Sequence, residues 1–144
     1  MPVFSALGAD HHLRLYVERD ACAKTISEAA RRRAASIIDF AGNWERDGHI
    51  LVHCYHGVSR STAAAFIIMC ILQPEIPESE LAQRLREAAP HADPCPLIIA
   101  YADDMLGRDG RMQDAIEELC LPCAQVAAPI STLDFATTSE AALS

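Results

Sequence analysis

The 144-residue chain contains no run of 18 or more apolar residues, which excludes a helical membrane span on sequence grounds. It is also short of positive charge. Twelve Lys and Arg stand against twenty Asp and Glu, for a formal charge of −8. A general nucleic-acid binder needs a basic footprint, so that class is excluded too. Residues 1–10 lack the basic region and long apolar core of a secretion signal, which points to the cytoplasm as the expected location. Cys120-Leu-Pro-Cys123 has redox or zinc spacing, but no second cysteine pair or histidine pair accompanies it, and no metal site is expected. A resolving thiol for an oxidised cysteine is the subtler role open to it or to Cys22. The six cysteines are expected to be mostly free thiols. There is no internal repeat.

What is present is a chain that is 51% apolar and 22% charged, sized for one domain able to build a core. Leu13-x-Leu15-x-Val17 alternates and predicts a strand over 12–17. Thr25-Ile26-Ser27-Glu28 has capping-box spacing and predicts a helix from there to about Asp47, stopped by Gly48. Its buried stripe is Ile37, Ile38, Ala41 and Trp44. Asp39 reads as a helix-surface residue, and Arg31-Arg32-Arg33 as a solvated helix face. The run 49–53 predicts a second strand buried on both faces. A nearly all-apolar helix follows over about 60–72, ended by Pro74 and Pro77. Another runs from Glu78 or Ser79 to about Ala89. Pro90, Pro94 and Pro96 mark an extended connection. A last helix spans about 96–107, breaks near Asp109-Gly110, and resumes to about Leu119. His11, His12 and His91 read as surface residues. Residues 124–144 have little periodicity and read as a mobile tail, so the expected organisation is a domain over 1–120 and a flexible segment over 121–144.

The chemistry concentrates at His53-Cys54-Tyr55-His56-Gly57-Val58-Ser59-Arg60-Ser61. A cysteine closes the apolar run 50–53, five residues separate it from Arg60, and a helix begins at once. A helix N-terminus carries unpaired N–H groups and the positive end of the dipole, so it is a ready anion site. If residues 55–60 curl about one centre, the amides of Tyr55, His56, Gly57, Val58, Ser59 and Arg60 form a nest for an oxyanion. The same field lowers the pKa of a thiol at the rim. Arg60 adds a planar fork that grips two phosphate oxygens. Gly57 fits a sharp bend. Ser61 is placed to hydrogen-bond the Cys54 sulfur, both as thiolate and as leaving group. His53 reads as a supporting residue beneath the loop. His56 sits in the loop with two open roles, an added positive charge at low pH or a solvent-facing residue.

This His-Cys-x-x-Gly-x-Ser-Arg-Ser pattern resembles the cysteine-dependent protein tyrosine phosphatases, most nearly their compact dual-specificity-like bacterial branch. The resemblance implies an α/β fold, with a small, mostly parallel central sheet of few strands flanked by four to five helices. About eleven residues precede the first predicted strand, so strands of the family's sheet are missing at the N-terminus. A partner chain completing the sheet edge, or a short strand at Val3–Leu7, is one way to supply them. The implied reaction is attack by Cys54 on phosphorus, a phosphocysteine intermediate, and hydrolysis by water, with no metal or cofactor. Arg60, Ser61 and the amide ring carry the charge. The implied acid is an Asp on a separate loop, and Asp20, 34 residues upstream, follows the first predicted strand. Glu18 is the nearby substitute. The substrate class is a phosphoprotein or other phosphomonoester, with phosphotyrosine first and phosphoserine or phosphothreonine second. Rival readings are a non-catalytic phosphopeptide binder, a phosphoinositide phosphatase and a rhodanese-like sulfurtransferase. The phosphoinositide reading lacks the lysines expected inside the cradle. The sulfurtransferase reading is disfavoured by the Ser-Arg-Ser end and the upstream Asp.

Overall fold

The computed structural model describes residues 23–46, 49–119, 121–122 and 131–133. The described residues are all-helical: α1 Ala23–Asn43, α2 Arg60–Leu72, α3 Glu78–Ala88, α4 Pro96–Leu106 and α5 Arg111–Glu117. No strand occurs among them. The α/β expectation, with its central sheet, is therefore overturned. The predicted strand over 49–53 forms no ladder. Ile50 and Val52 are half-buried and pack against the core, while Leu51 between them is 66% exposed. The run is thus buried on one side only. A strand exists by pairing its backbone with another segment, and no described segment pairs with this one. The predicted strand over 12–17 and the short one at Val3–Leu7 lie outside the described residues.

Helix α2 is the centre of the molecule. Ten of its residues are buried, Phe66, Ile67 and Met69 almost completely, leaving no polar face. A helix apolar all round has to be enclosed by others. Helix α1 covers one side with Ala30, Ala34, Ile37 and Ala41, a stripe at alternating spacings of four and three. Its small side chains let α1 lie close against α2 and α4, and the Ser27 and Tyr101 hydroxyls are hydrogen-bonded between α1 and α4. Helix α1 already includes Ala23, so Thr25 is an interior residue rather than the expected cap. It ends at Asn43, short of the expected stop at Gly48. Helix α3 packs Leu81, Ala82 and Leu85 inward.

Boundaries elsewhere follow the punctuation in the sequence. Pro96 takes the first turn of α4. Gly107, with φ +63°, closes α4 in the left-handed conformation, where a Cβ would strain the backbone. The buried Asp103 holds the start of α5 with both carboxylate oxygens, accepting from the Gly110 and Met112 amides at 2.8 Å each. Arg108 links α3 to the C-terminal end of α2. It bonds the buried Glu78 carboxylate at 2.8 Å and the Cys70 carbonyl at 2.9 Å. Replacing Asp103 by Ala strips two amides, one buried and one part-buried, of their charged acceptor. Chemical denaturation should record a loss of about 3 kcal/mol, with unfolding still cooperative.

Of residues 121–144, the structure describes 121–122 and 131–133, and Leu133 packs against the core. Asp39 is exposed on α1, as expected. His91, expected at the surface, is instead only 5% exposed. It sits in the turn after α3 beside the buried Ala89 and Ala92, and the fold closes over that turn.

Candidate active site

The residues between the apolar run and α2 fold as a tight loop, and three observations fix its shape. Gly57 has φ +69°, the left-handed region that favours glycine, as the sharp bend required. The carbonyls of Val58 and Ser59 are held from behind by backbone amides, Asp93 N–H donating to Val58 at 3.0 Å and Cys95 N–H to Ser59 at 3.2 Å. The Thr62 hydroxyl also donates to both carbonyls. Pro94 and Pro96 have no N–H, so Asp93 and Cys95 carry the donors that this Pro-rich stretch can offer. Both are spent on the loop. The amides of Gly57, Val58 and Ser61, on either side of these two carbonyls, face the cysteine.

Cys54 is where those amides meet. Its Sγ accepts from the Gly57 N–H at 3.2 Å and lies 3.2 Å from the Ser61 hydroxyl, which donates to the sulfur once it is ionised. Burial pushes the thiol's pKa up. The Ser61 hydroxyl and the amides of Ser61, Gly57 and Val58 outweigh it, and the net direction is down from the ordinary thiol value. Cys70, near the C-terminal end of α2, shows the opposite case. Burial without such donors pushes it up to about 12. Cys54, Cys70 and Cys95 are all free thiols, so what separates an ionisable sulfur from an inert one here is the ring of N–H and O–H donors.

Arg60 is the first residue of α2 and half-buried. Among the described residues it makes no ion pair, so no carboxylate there neutralises its guanidinium. Ser59 occupies the cap position without a side-chain hydrogen bond to the helix, so the first amides of α2 are not taken by a capping side chain. Ser61 is buried. His53 is half-buried, while Tyr55 and His56 are exposed, their rings meeting edge to face with centroids 4.8 Å apart. The exposed His56 fits the solvent-facing role.

A cavity of about 360 Å³ borders the loop. His53, Cys54, Tyr55, His56, Gly57 and Ser61 reach its wall; Val58, Ser59 and Arg60 do not. The structure thus gathers Cys54, Gly57, Val58 and Ser61 around one sulfur, with Arg60 one residue before Ser61 on the same helix end. Asp20 and Glu18, the expected acid and its substitute, lie outside the described residues, as do Cys22, Cys120 and Cys123. Among the described residues no cluster of three His, Cys, Asp or Glu could hold a metal ion, and no helix is long and apolar enough to cross a membrane.

Sequence reasoning missed the bracing by Thr62, Asp93 and Cys95, and the burial of His91. A signal for the bracing was present, since a Pro-x-Pro stretch leaves its intervening amide without a helical partner. Comparison with protein families, with curated proteins and with solved structures found no match.

Proposed function

We propose that the protein hydrolyses phosphomonoesters on phosphotyrosine-containing proteins, and also on phosphoserine or phosphothreonine, through a phosphocysteine at Cys54. The single observation that carries this reading is the Cys54 sulfur held among the Gly57, Val58 and Ser61 amides and the Ser61 hydroxyl, with its pKa lowered. A thiolate in such a setting is a nucleophile at neutral pH. The Arg60 guanidinium at the same helix end, which makes no ion pair among the described residues, suits a phosphoryl group, whose charge it would share with the backbone amides. The resemblance of the His53–Ser61 motif to the tyrosine phosphatases supports the same reaction and supplies its acid, Asp20. Ser61 then stabilises the sulfur as it leaves phosphorus. A reducing compartment such as the cytoplasm keeps such a thiol active.

The test begins with binding. Vanadate or phosphate at millimolar concentration should raise the melting temperature, because either ligand binds the folded loop and not the unfolded chain. A ligand at about 100 times its Kd stabilises by about 2.7 kcal/mol. Unchanged melting with both anions would mean that the cradle does not take a phosphoryl group. Binding without turnover of para-nitrophenyl phosphate would instead favour a phosphopeptide-binding module.

A further inference from the structure

We propose that Thr62 is a positioning residue for the reaction at Cys54, aiming the Ser59 amide at the transferring oxyanion by pinning the Val58 carbonyl. The inference rests on the phosphatase reading, since it assigns a part to that same loop. The backbone amides of the loop fall into two sets. Those of Gly57, Val58 and Ser61 act on the Cys54 sulfur. Those of Ser59 and Arg60 do not, and among the described residues neither donates a hydrogen bond. A peptide unit is planar, and in its trans form the C=O and N–H point in opposite directions. No described peptide bond is cis. The direction of the Val58 carbonyl therefore sets that of the Ser59 N–H, and the Ser59 carbonyl sets the Arg60 N–H. Both carbonyls are turned toward the 93–95 segment, so both amides point away from it. None of the three N–H groups on the sulfur belongs to either of these peptide units. The sulfur and the oxyanion are served by separate amides.

Thr62 is buried in the first turn of α2. A helical threonine often bonds its hydroxyl back to a carbonyl three or four residues earlier, but here both acceptors lie ahead of the helix, in the loop. The two carbonyls depend on it unequally. Among the described residues the Ser59 carbonyl has three donors, the Ala63 and Cys95 amides and the Thr62 hydroxyl at 3.1 Å. The Val58 carbonyl has two, the Asp93 amide and the Thr62 hydroxyl. A hydroxyl has one proton to give, and the Thr62 oxygen lies nearer Val58. Without it the Val58 carbonyl hangs on one donor, and its peptide plane is free to rock. A donor serves a developing charge best when it needs no reorganisation, and the Ser59 N–H would lose that property.

The experiment is calorimetric titration of the full chain with orthovanadate, beside the pH dependence of Cys54 alkylation by iodoacetamide, read by peptide mass spectrometry. Thr62→Val keeps the size and branching of the side chain and removes the donor. It should bind vanadate about fivefold more weakly than the parent, the ratio one net hydrogen bond supplies. Its alkylation midpoint should match the parent's, because the amides on the sulfur lie in other peptide units. Thr62→Ser, which restores the hydroxyl, should bind as the parent does. The inference is overturned if Thr62→Val binds vanadate like the parent, or if Thr62→Ser binds as weakly as Thr62→Val. A shifted alkylation midpoint in Thr62→Val also overturns it, because the whole loop has then loosened. Should circular dichroism show that Thr62→Val does not fold, Thr62→Ala takes its place against Thr62→Ser. No saturable binding by the parent would sink the phosphoryl reading together with this one, whereas tight binding that Thr62→Val retains sinks the role of Thr62 alone.

Discussion

Cys54→Ser should abolish turnover of para-nitrophenyl phosphate while leaving the far-ultraviolet circular dichroism and the melting transition close to those of the parent. The two halves of this expectation have separate causes. Serine keeps the size of the side chain and can still accept from the Gly57 amide, so the loop loses little. The sulfur is half-exposed at a loop rather than packed in the core, and its removal opens no cavity. Chemistry, however, needs an ionised nucleophile. The donors that bring a thiol down from its ordinary value cannot bring an aliphatic hydroxyl, with its far higher pKa, into the working range. Among the described residues the hydrogen-bond partners of the Cys54 sulfur are the Ser61 hydroxyl and the Gly57 amide, neither of which is a base that could take the proton instead. Nucleophiles that act as part of a unit typically cost about a millionfold in turnover when removed. Equal rates in variant and parent, after exclusion of a contaminating phosphatase, would remove Cys54 from the mechanism.

Arg60→Lys should lower kcat for the same substrate by about 10²- to 10³-fold, the scale of losing one preorganised oxyanion donor. The charge survives in this variant, so the experiment isolates the planar fork. An ammonium is a compact point charge that cannot hold two phosphoryl oxygens side by side. Arg60 makes no ion pair among the described residues, so lysine breaks none there and stability should stay within about 0.5 kcal/mol of the parent. If kcat falls by less than tenfold, the guanidinium is not a ligand of the transferring group.

The helices were largely legible in the chain because their ends are written in residues with few alternatives. Pro74 and Pro77 close α2, Pro96 opens α4, and Gly107 and Gly110 separate α4 from α5. Helix α2 was legible through its almost unbroken apolar content. The core of the candidate site was legible for a related reason. Gly57 takes the left-handed bend, and Cys54 and Ser61 meet across it as their spacing suggested. The sheet was not legible. Ile50, Leu51 and Val52 carry the composition of a two-sided buried strand, but composition states an affinity for burial and not the presence of a pairing partner. The segment spends Ile50 and Val52 on helix packing and leaves Leu51 outside. Nor was His91 legible, since a histidine between Pro90 and Pro94 has every local mark of a surface turn. Its burial depends on how the end of α3 meets the rest of the fold, which no local pattern encodes.

The amides of Asp93 and Cys95 that grip Val58 and Ser59 carry a consequence for the order of assembly. A newly synthesised chain completes Cys54, Gly57 and Arg60 well before the stretch that clamps them, and all of α3 intervenes. Until that helix has doubled back, the sulfur is an ordinary thiol on a slack tether. During refolding, its sharpened reactivity should therefore arrive late, trailing the gain of helicity rather than accompanying it.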